Sequence, residues 1–78
     1  MEKALLIRAE WDDEARVWFA TSDDVPGLVA EADTAGALLV KLRTLIPELL
    51  DANGYPDAGD VPFELFSRRF DVTHRQPA

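Results

Sequence analysis

The amino-acid sequence predicts an α+β fold in which one helix crosses one face of a single four-stranded sheet. Three observations predict it: three short segments rich in strand-forming residues, one long segment with helical periodicity, and an alternating segment after the helix. A chain of 78 residues supports one hydrophobic core. We therefore expect a single domain over residues 1–70 and a disordered tail over residues 71–78.

Three strands are predicted in the first half of the chain. Apolar and polar side chains alternate from Ala4 to Trp11, as in a half-buried strand. A second strand is predicted from about Arg16 to Ser22, and a third from Leu28 to Ala32. Pro26 and Gly27 suit the turn between these two. Because the connections are short, we expect an antiparallel meander.

A helix is predicted after Thr34, whose hydroxyl can cap its first turn. Its apolar positions follow the spacing of one helical face: Leu38, Leu39, Leu42, Leu45, Ile46, Leu49 and Leu50. Pro47 lacks a backbone N–H, so we expect a kink there or a fresh start near Leu45. Asn53 and Gly54 are typical of a helix end.

A fourth strand is predicted from Val61 to Phe70, where Val61, Phe63 and Leu65 alternate with residues of the other face. Pro62 near its start favours an edge or a first position in the sheet. A right-handed crossover through the helix would make this strand parallel to the first or the third strand. Periodicity alone leaves both positions open.

The composition excludes several classes of partner. Fifteen acidic residues against eight basic ones give a net charge of −7, which repels nucleic acids and suits a basic partner. No apolar run is long enough for a signal peptide or a membrane span, so we expect a cytoplasmic protein without membrane contacts. No cysteine is present, so disulfide bonds cannot stabilise the small core, and we expect self-association to do so.

No catalytic or cofactor motif is found, and we expect a protein that is not an enzyme. Asp12, Asp13, Asp23 and Asp24 fall in predicted turns, where solvation and turn hydrogen bonds explain them, and not at strand centres as a two-metal nuclease needs. His74, the only histidine, lies in the predicted tail. Zinc clusters and glycine-rich phosphate loops are absent from the sequence. We therefore expect no cofactor and no metal.

A protein interface is predicted on the sheet face that the helix leaves uncovered. Leu6, Val29 and Phe66 fall on that face, together with either Trp18 or the pair Val17 and Phe19. The sequence-based candidates are apolar contacts with a rim of charges: Leu6, Trp18, Val29, Phe66, Asp12, Asp13, Asp23 and Asp24. In the alternative interpretation, the acidic residues only keep a small domain soluble.

Nearly the whole chain resembles the N-terminal domain of HicB-type antitoxins, and more closely a small uncharacterised family of HicB-like bacterial domains. The resemblance is carried by Trp11-Asp12, Val17-Trp18, Ser22-Asp23-Asp24-Val25-Pro26-Gly27-Leu28, Glu31-Ala32-Asp33-Thr34, Lys41-Leu42 and Ile46-Pro47-Glu48-Leu49-Leu50. It implies a truncated RNase H-like fold with the fourth strand beside the first.

The resemblance also implies a function. HicB antitoxins use this domain to bind and block HicA, a small basic RNA-cleaving toxin, and most carry a further DNA-binding domain. Since no such domain follows Phe70, we expect no direct DNA binding by this chain. The alternative is a stand-alone homo-oligomer, a dimer or higher, with a structural or small-ligand role and no toxin.

Overall fold

The computed structural model describes residues 3–56 and 59–77. In this part of the chain, three strands precede one helix and a fourth strand follows it. The strands are β1 (Leu5–Asp12), β2 (Val17–Thr21), β3 (Val29–Ala32) and β4 (Phe63–Arg68). The helix, α1 (Ala35–Ala52), connects β3 to β4. The predicted α+β fold is confirmed, and the predicted strands are correct to within about two residues at each end.

The four strands form one sheet in the order β3-β2-β1-β4. The pairs β1–β2 and β2–β3 are antiparallel, so the predicted meander is confirmed. The pair β1–β4 is parallel, with Leu5 opposite Phe63 and Glu10 opposite Arg68. The position of β4 beside β1 agrees with what the resemblance implied. The edges of the sheet are therefore β3 and β4.

Helix α1 begins and ends at the predicted residues. Thr34 Oγ1 accepts a hydrogen bond from the backbone N–H of Ala37 at 3.0 Å and caps the first turn. The C-terminal cap is Asn53, and Gly54 follows it with a φ of +74°. Pro47 lies inside one continuous helix, so the expected fresh start near Leu45 does not occur.

The core lies between α1 and one face of the sheet. The helix contributes its fully buried face, formed by Leu38, Leu42, Ile46 and Leu50. The sheet contributes mainly small residues: Ile7, Ala9, Ala20, Ala30 and Ala32. Val25 and Leu28, from the loop between β2 and β3 and the approach to β3, close one end of this core. Because a single helix covers a single face, the opposite face of the sheet has no layer over it among the described residues.

The chain after β4 carries no helix or strand through residue 77, and its side chains are exposed. Ala78 lies outside the described residues, and the disordered tail over residues 71–78 stays a prediction. Over the described residues, no helix combines the length and apolar character that crossing a membrane requires.

Candidate protein-binding face

The face of the sheet that points away from α1 is not covered by the helix, and we name it the open face. Side chains alternate between the two faces of each strand, and the buried set faces the helix. The other set forms the open face: Leu6, Arg8, Glu10, Val17, Phe19, Thr21, Val29, Glu31, Glu64, Phe66 and Arg68. All of these are exposed except Leu6 and Val17, which are half-buried.

Phe19 occupies the middle of the open face, between two carboxylates. It pairs with Glu10 on β1 and with Glu31 on β3, so one acidic side chain lies on each side of its ring. Side chains at such directly opposed positions have Cβ atoms about 5 Å apart. With 41% of Phe19 exposed, the ring face and the carboxylates are accessible together. An arginine or lysine side chain could contact the ring and pair with a carboxylate at the same time.

A second row of side chains crosses the open face beside the row formed by Glu31, Phe19 and Glu10. Val29 on β3 opposes Thr21 on β2, Thr21 opposes Arg8 on β1, and Arg8 opposes Phe66 on β4. Val29 is 60% exposed and Phe66 is 66% exposed. Exposed apolar side chains that share a face and are bordered by polar residues are typical of protein-binding surfaces.

The structure brings together three of the four predicted apolar contacts. Leu6, Val29 and Phe66 share the open face, whereas Trp18 lies on the helix side of the sheet and packs against the core. The sequence left open which side of β2 faces the helix. The register decides it, because Trp18 pairs with Trp11, which lies on the same face as Ile7 and Ala9. Phe19 therefore lies on the open face, where Trp18 was predicted to lie.

The two tryptophans form a separate cluster at the end of the sheet where α1 begins. Their ring centroids are 5.5 Å apart in an edge-to-face arrangement. The guanidinium carbon of Arg16 lies 5.2 Å from the Trp11 ring centroid, and that of Arg69 lies 4.2 Å from it. Arg69 thereby brings the chain after β4 against the Trp11 ring, and Trp18 packs against the core.

The acidic residues of the turn between β1 and β2 act within the turn. Asp12 Oδ1 accepts the backbone N–H groups of Glu14 and Ala15, each at 3.1 Å. Asp13 Oδ1 accepts from the Arg16 guanidinium at 2.8 Å and from the Trp11 indole N–H at 3.2 Å. Arg16 has a φ of +59°, a conformation that the turn requires of it. Turn formation therefore explains both acidic residues without a partner.

The other predicted acidic pair lies at the opposite end of β2. Asp24 Oδ2 accepts the backbone N–H of Leu6 at 2.8 Å, and Ser22 Oγ donates to the Leu6 carbonyl at 2.6 Å. Ser22 Oγ also accepts the N–H of Asp24 at 3.0 Å, so the two side chains together hold the beginning of β1. Asp23 is exposed beside them. The four predicted rim charges thus do not form one patch.

Metal-binding types of side chain are dispersed over residues 3–56 and 59–77. No three His, Asp or Glu side chains of this part converge on a point where they could hold a metal ion. His74 is exposed in the segment after β4. The described residues instead form an exposed surface, the open face, that can contact another protein.

Sequence reasoning missed Phe19, Glu10 and Glu31 as a group. The register of the first hairpin was the signal that could have found them. If Trp11 opposes Trp18, then Glu10 must oppose Phe19, since antiparallel pairs step in opposite directions. The sequence indicates a turn near residues 12–15, but it does not show that Arg16 adopts a left-handed conformation and completes the turn.

Comparison with known proteins gives a family and a solved relative. The model of the family described as Domain of unknown function (DUF1902) matches residues 4–74. The chain is similar to the crystal structure of a hypothetical protein from the extremely thermophilic bacterium Thermus thermophilus. The two share 46% sequence identity with a TM-score of 0.78, over 91% of this chain and 100% of that chain. No curated protein matches the chain.

Proposed function

This chain belongs to the DUF1902 family of domains of unknown function, and we propose that it is a non-enzymatic module whose open face binds a small basic protein. One observation carries the proposal: Phe19 is exposed at the centre of the open face with Glu10 and Glu31 on either side. An aromatic ring between two carboxylates matches a basic side chain of a partner.

The charge of the whole chain supports a basic partner. A net charge of −7 accelerates the approach of a positively charged protein and repels nucleic acids. On the open face, the exposed apolar side chains of Phe19, Val29 and Phe66 supply surface that a partner can bury. Charge therefore favours the encounter, and apolar burial stabilises the complex.

The resemblance to HicB antitoxins gives the partner a more specific identity. We propose that it is a small basic RNA-cleaving toxin of the HicA kind, and that binding at the open face blocks it. The proposal needs no enzyme activity, cofactor or DNA contact from this chain. It also assigns no role in binding to Asp12, Asp13 and Asp24, whose carboxylates accept hydrogen bonds within the fold.

The test mixes the purified chain with the small basic protein encoded by a neighbouring reading frame. We expect a complex by light scattering and loss of RNA cleavage by that basic protein. Phe19→Ala should weaken binding at least about tenfold, as truncation of a central aromatic residue does in other interfaces. Tyr55→Ala is the matched control, since Tyr55 is also an exposed aromatic residue, 46% exposed, and lies in the loop after α1.

Charge variants test the electrostatic part separately. Glu10→Gln with Glu31→Gln should slow association and reduce its dependence on salt, whereas Glu48→Gln on α1 should leave both unchanged. RNA cleavage that continues at full rate in the presence of the chain would refute the toxin as the partner. A complex that forms equally well with Phe19→Ala would refute the open face as its site.

A further inference from the structure

The two edges of the sheet differ in how their backbone groups are used. At β3, a strand of four residues, Lys41 Nζ donates to the backbone carbonyl of Glu31 at 2.6 Å. Lysine at an edge is a usual means of preventing further strand pairing. The β4 edge has six residues, and among the described residues no side chain bonds to its outer backbone groups. It is therefore the open edge of this sheet.

The parallel register identifies which groups of β4 are free. Leu5 N–H donates to the Pro62 carbonyl at 3.0 Å, and Leu5 pairs with Phe63. In a parallel ladder, alternate residues of a strand bond to the same neighbour. The backbone groups that face β1 are those of Pro62, Glu64, Phe66 and Arg68. Those that face the free edge are the N–H and C=O groups of Phe63, Leu65 and Ser67.

The charge distribution indicates what can pair there. Residues 63–78 contain three arginines and two acidic residues, whereas the remainder of the chain has five basic residues against thirteen acidic ones. Two copies of so acidic a chain repel each other over most of their surfaces. This repulsion is weakest along the segment that contains β4, where each copy also presents unpaired backbone N–H and C=O groups.

We propose that the β4 edge binds the β4 edge of a second copy of this chain in antiparallel orientation. The two-fold axis lies at Leu65, the middle of the three residues with free groups. Phe63 then opposes Ser67 of the partner subunit, so the free backbone groups of all three residues become paired. The sheet grows to eight strands, and Phe63 and Leu65, which are only partly buried in one copy, gain cover. The open face stays accessible, so this pairing is independent of binding to a basic protein.

A proline substitution tests the edge without removing a β1 hydrogen bond. In the full chain alone, measured by light scattering after size exclusion, we expect the mass of two copies. Ser67→Pro removes an N–H that points away from β1, and should halve the mass while circular dichroism stays unchanged. Glu31→Pro is the matched control at the capped β3 edge, and should leave the mass of two copies. A dimer that persists with Ser67→Pro would overturn the proposal.

Hydrogen exchange of the wild-type chain gives a second readout if Ser67→Pro fails to fold. The amides of Glu64, Phe66 and Arg68 face β1, so they should be protected at any concentration. Those of Phe63, Leu65 and Ser67 should become protected only as the protein concentration rises. Fast exchange at these three amides at the highest soluble concentration, with the mass of one copy, would likewise overturn the proposal.

Discussion

The two faces of the sheet differ in what covers their apolar side chains. The helix side carries four alanines from three strands, Ala9, Ala20, Ala30 and Ala32, all buried. The open face carries larger apolar side chains that are half-buried or exposed: Leu6, Phe19, Val29 and Phe66. Burial of apolar area is the main source of stability, so a chain of this size would gain most by placing its large residues inside. Large apolar side chains on an uncovered face therefore indicate that the open face has another use.

Small residues on the helix side bring α1 close to the strands. The bulk of the core then comes from the helix, whose Leu38, Leu42 and Ile46 are almost completely buried. Since protein interiors are close-packed, large residues on both layers would push the helix away from the sheet. Residues that set stability therefore lie on the helix side, and residues that are free to bind lie on the open face.

The largest effect is expected for Leu42→Ala at the centre of the helix side. Leu42 is 0% exposed, so the substitution removes its transfer free energy and leaves a cavity. We expect the free energy of unfolding to fall by about 3 kcal/mol, measured by denaturant titration. Val40→Ala is the control, because Val40 lies on the same helix and is 61% exposed. Equal losses at the two positions would contradict a core centred on this face.

A smaller loss is expected when an alanine of the helix side is enlarged. Ala20 is fully buried beneath α1, so Ala20→Val forces the helix and sheet apart. We expect unfolding free energy to fall by about 2 kcal/mol. Thr21→Val, at the next residue on the open face, should change it by no more than about 0.5 kcal/mol. Thermal and denaturant unfolding of both variants would measure the difference in stability. If Ala20→Val were stabilising, unfilled space would have to exist between the helix and the sheet.

A loss of stability of similar or smaller size is expected when the hydrogen bonds that hold the beginning of β1 are broken. Asp24 and Ser22 make these bonds to the backbone of Leu6. Asp24→Ala removes the acceptor of the part-buried Leu6 N–H, and should lower the unfolding free energy by about 1.5 kcal/mol. Asp23→Ala removes an exposed carboxylate beside it and should have almost no effect. Faster hydrogen exchange at the Leu6 amide in Asp24→Ala alone would locate the loss. Equal stability of the two variants would show that the bond contributes nothing net.

Much of this division could be predicted from the sequence. The alternation of Leu5, Ile7 and Ala9 placed these residues on one face, and the spacing of Leu38, Leu42 and Ile46 placed the helix over it. The orientation of β2 could not be predicted, because Val17 to Phe19 is apolar at every position and a one-residue slip reverses its faces. That orientation decides whether Trp18 or Phe19 belongs to the candidate site.

The roles of the acidic residues could not be predicted from the sequence either. Asp23 and Asp24 are identical neighbours, yet only the fold brings one of them to the backbone of Leu6, 18 residues away. The place of β4 beside β1 required the resemblance, because handedness permits parallel pairing with the first or the third strand. Local patterns determine the elements and the faces of those that alternate clearly, whereas contacts between distant segments depend on how the elements pack.

The smallest loss of stability is expected on the open face itself, and it is the most direct check of the difference between the two faces. Val29 is 60% exposed on edge strand β3, and the residue before it, Leu28, is 3% exposed in the core. Val29→Ala should change the unfolding free energy by no more than about 0.5 kcal/mol, and Leu28→Ala should lower it by about 3 kcal/mol. Denaturant titration of the isolated protein measures both. If Val29→Ala cost as much as Leu28→Ala, the open face would be buried in the isolated protein, and a second layer would have to cover it.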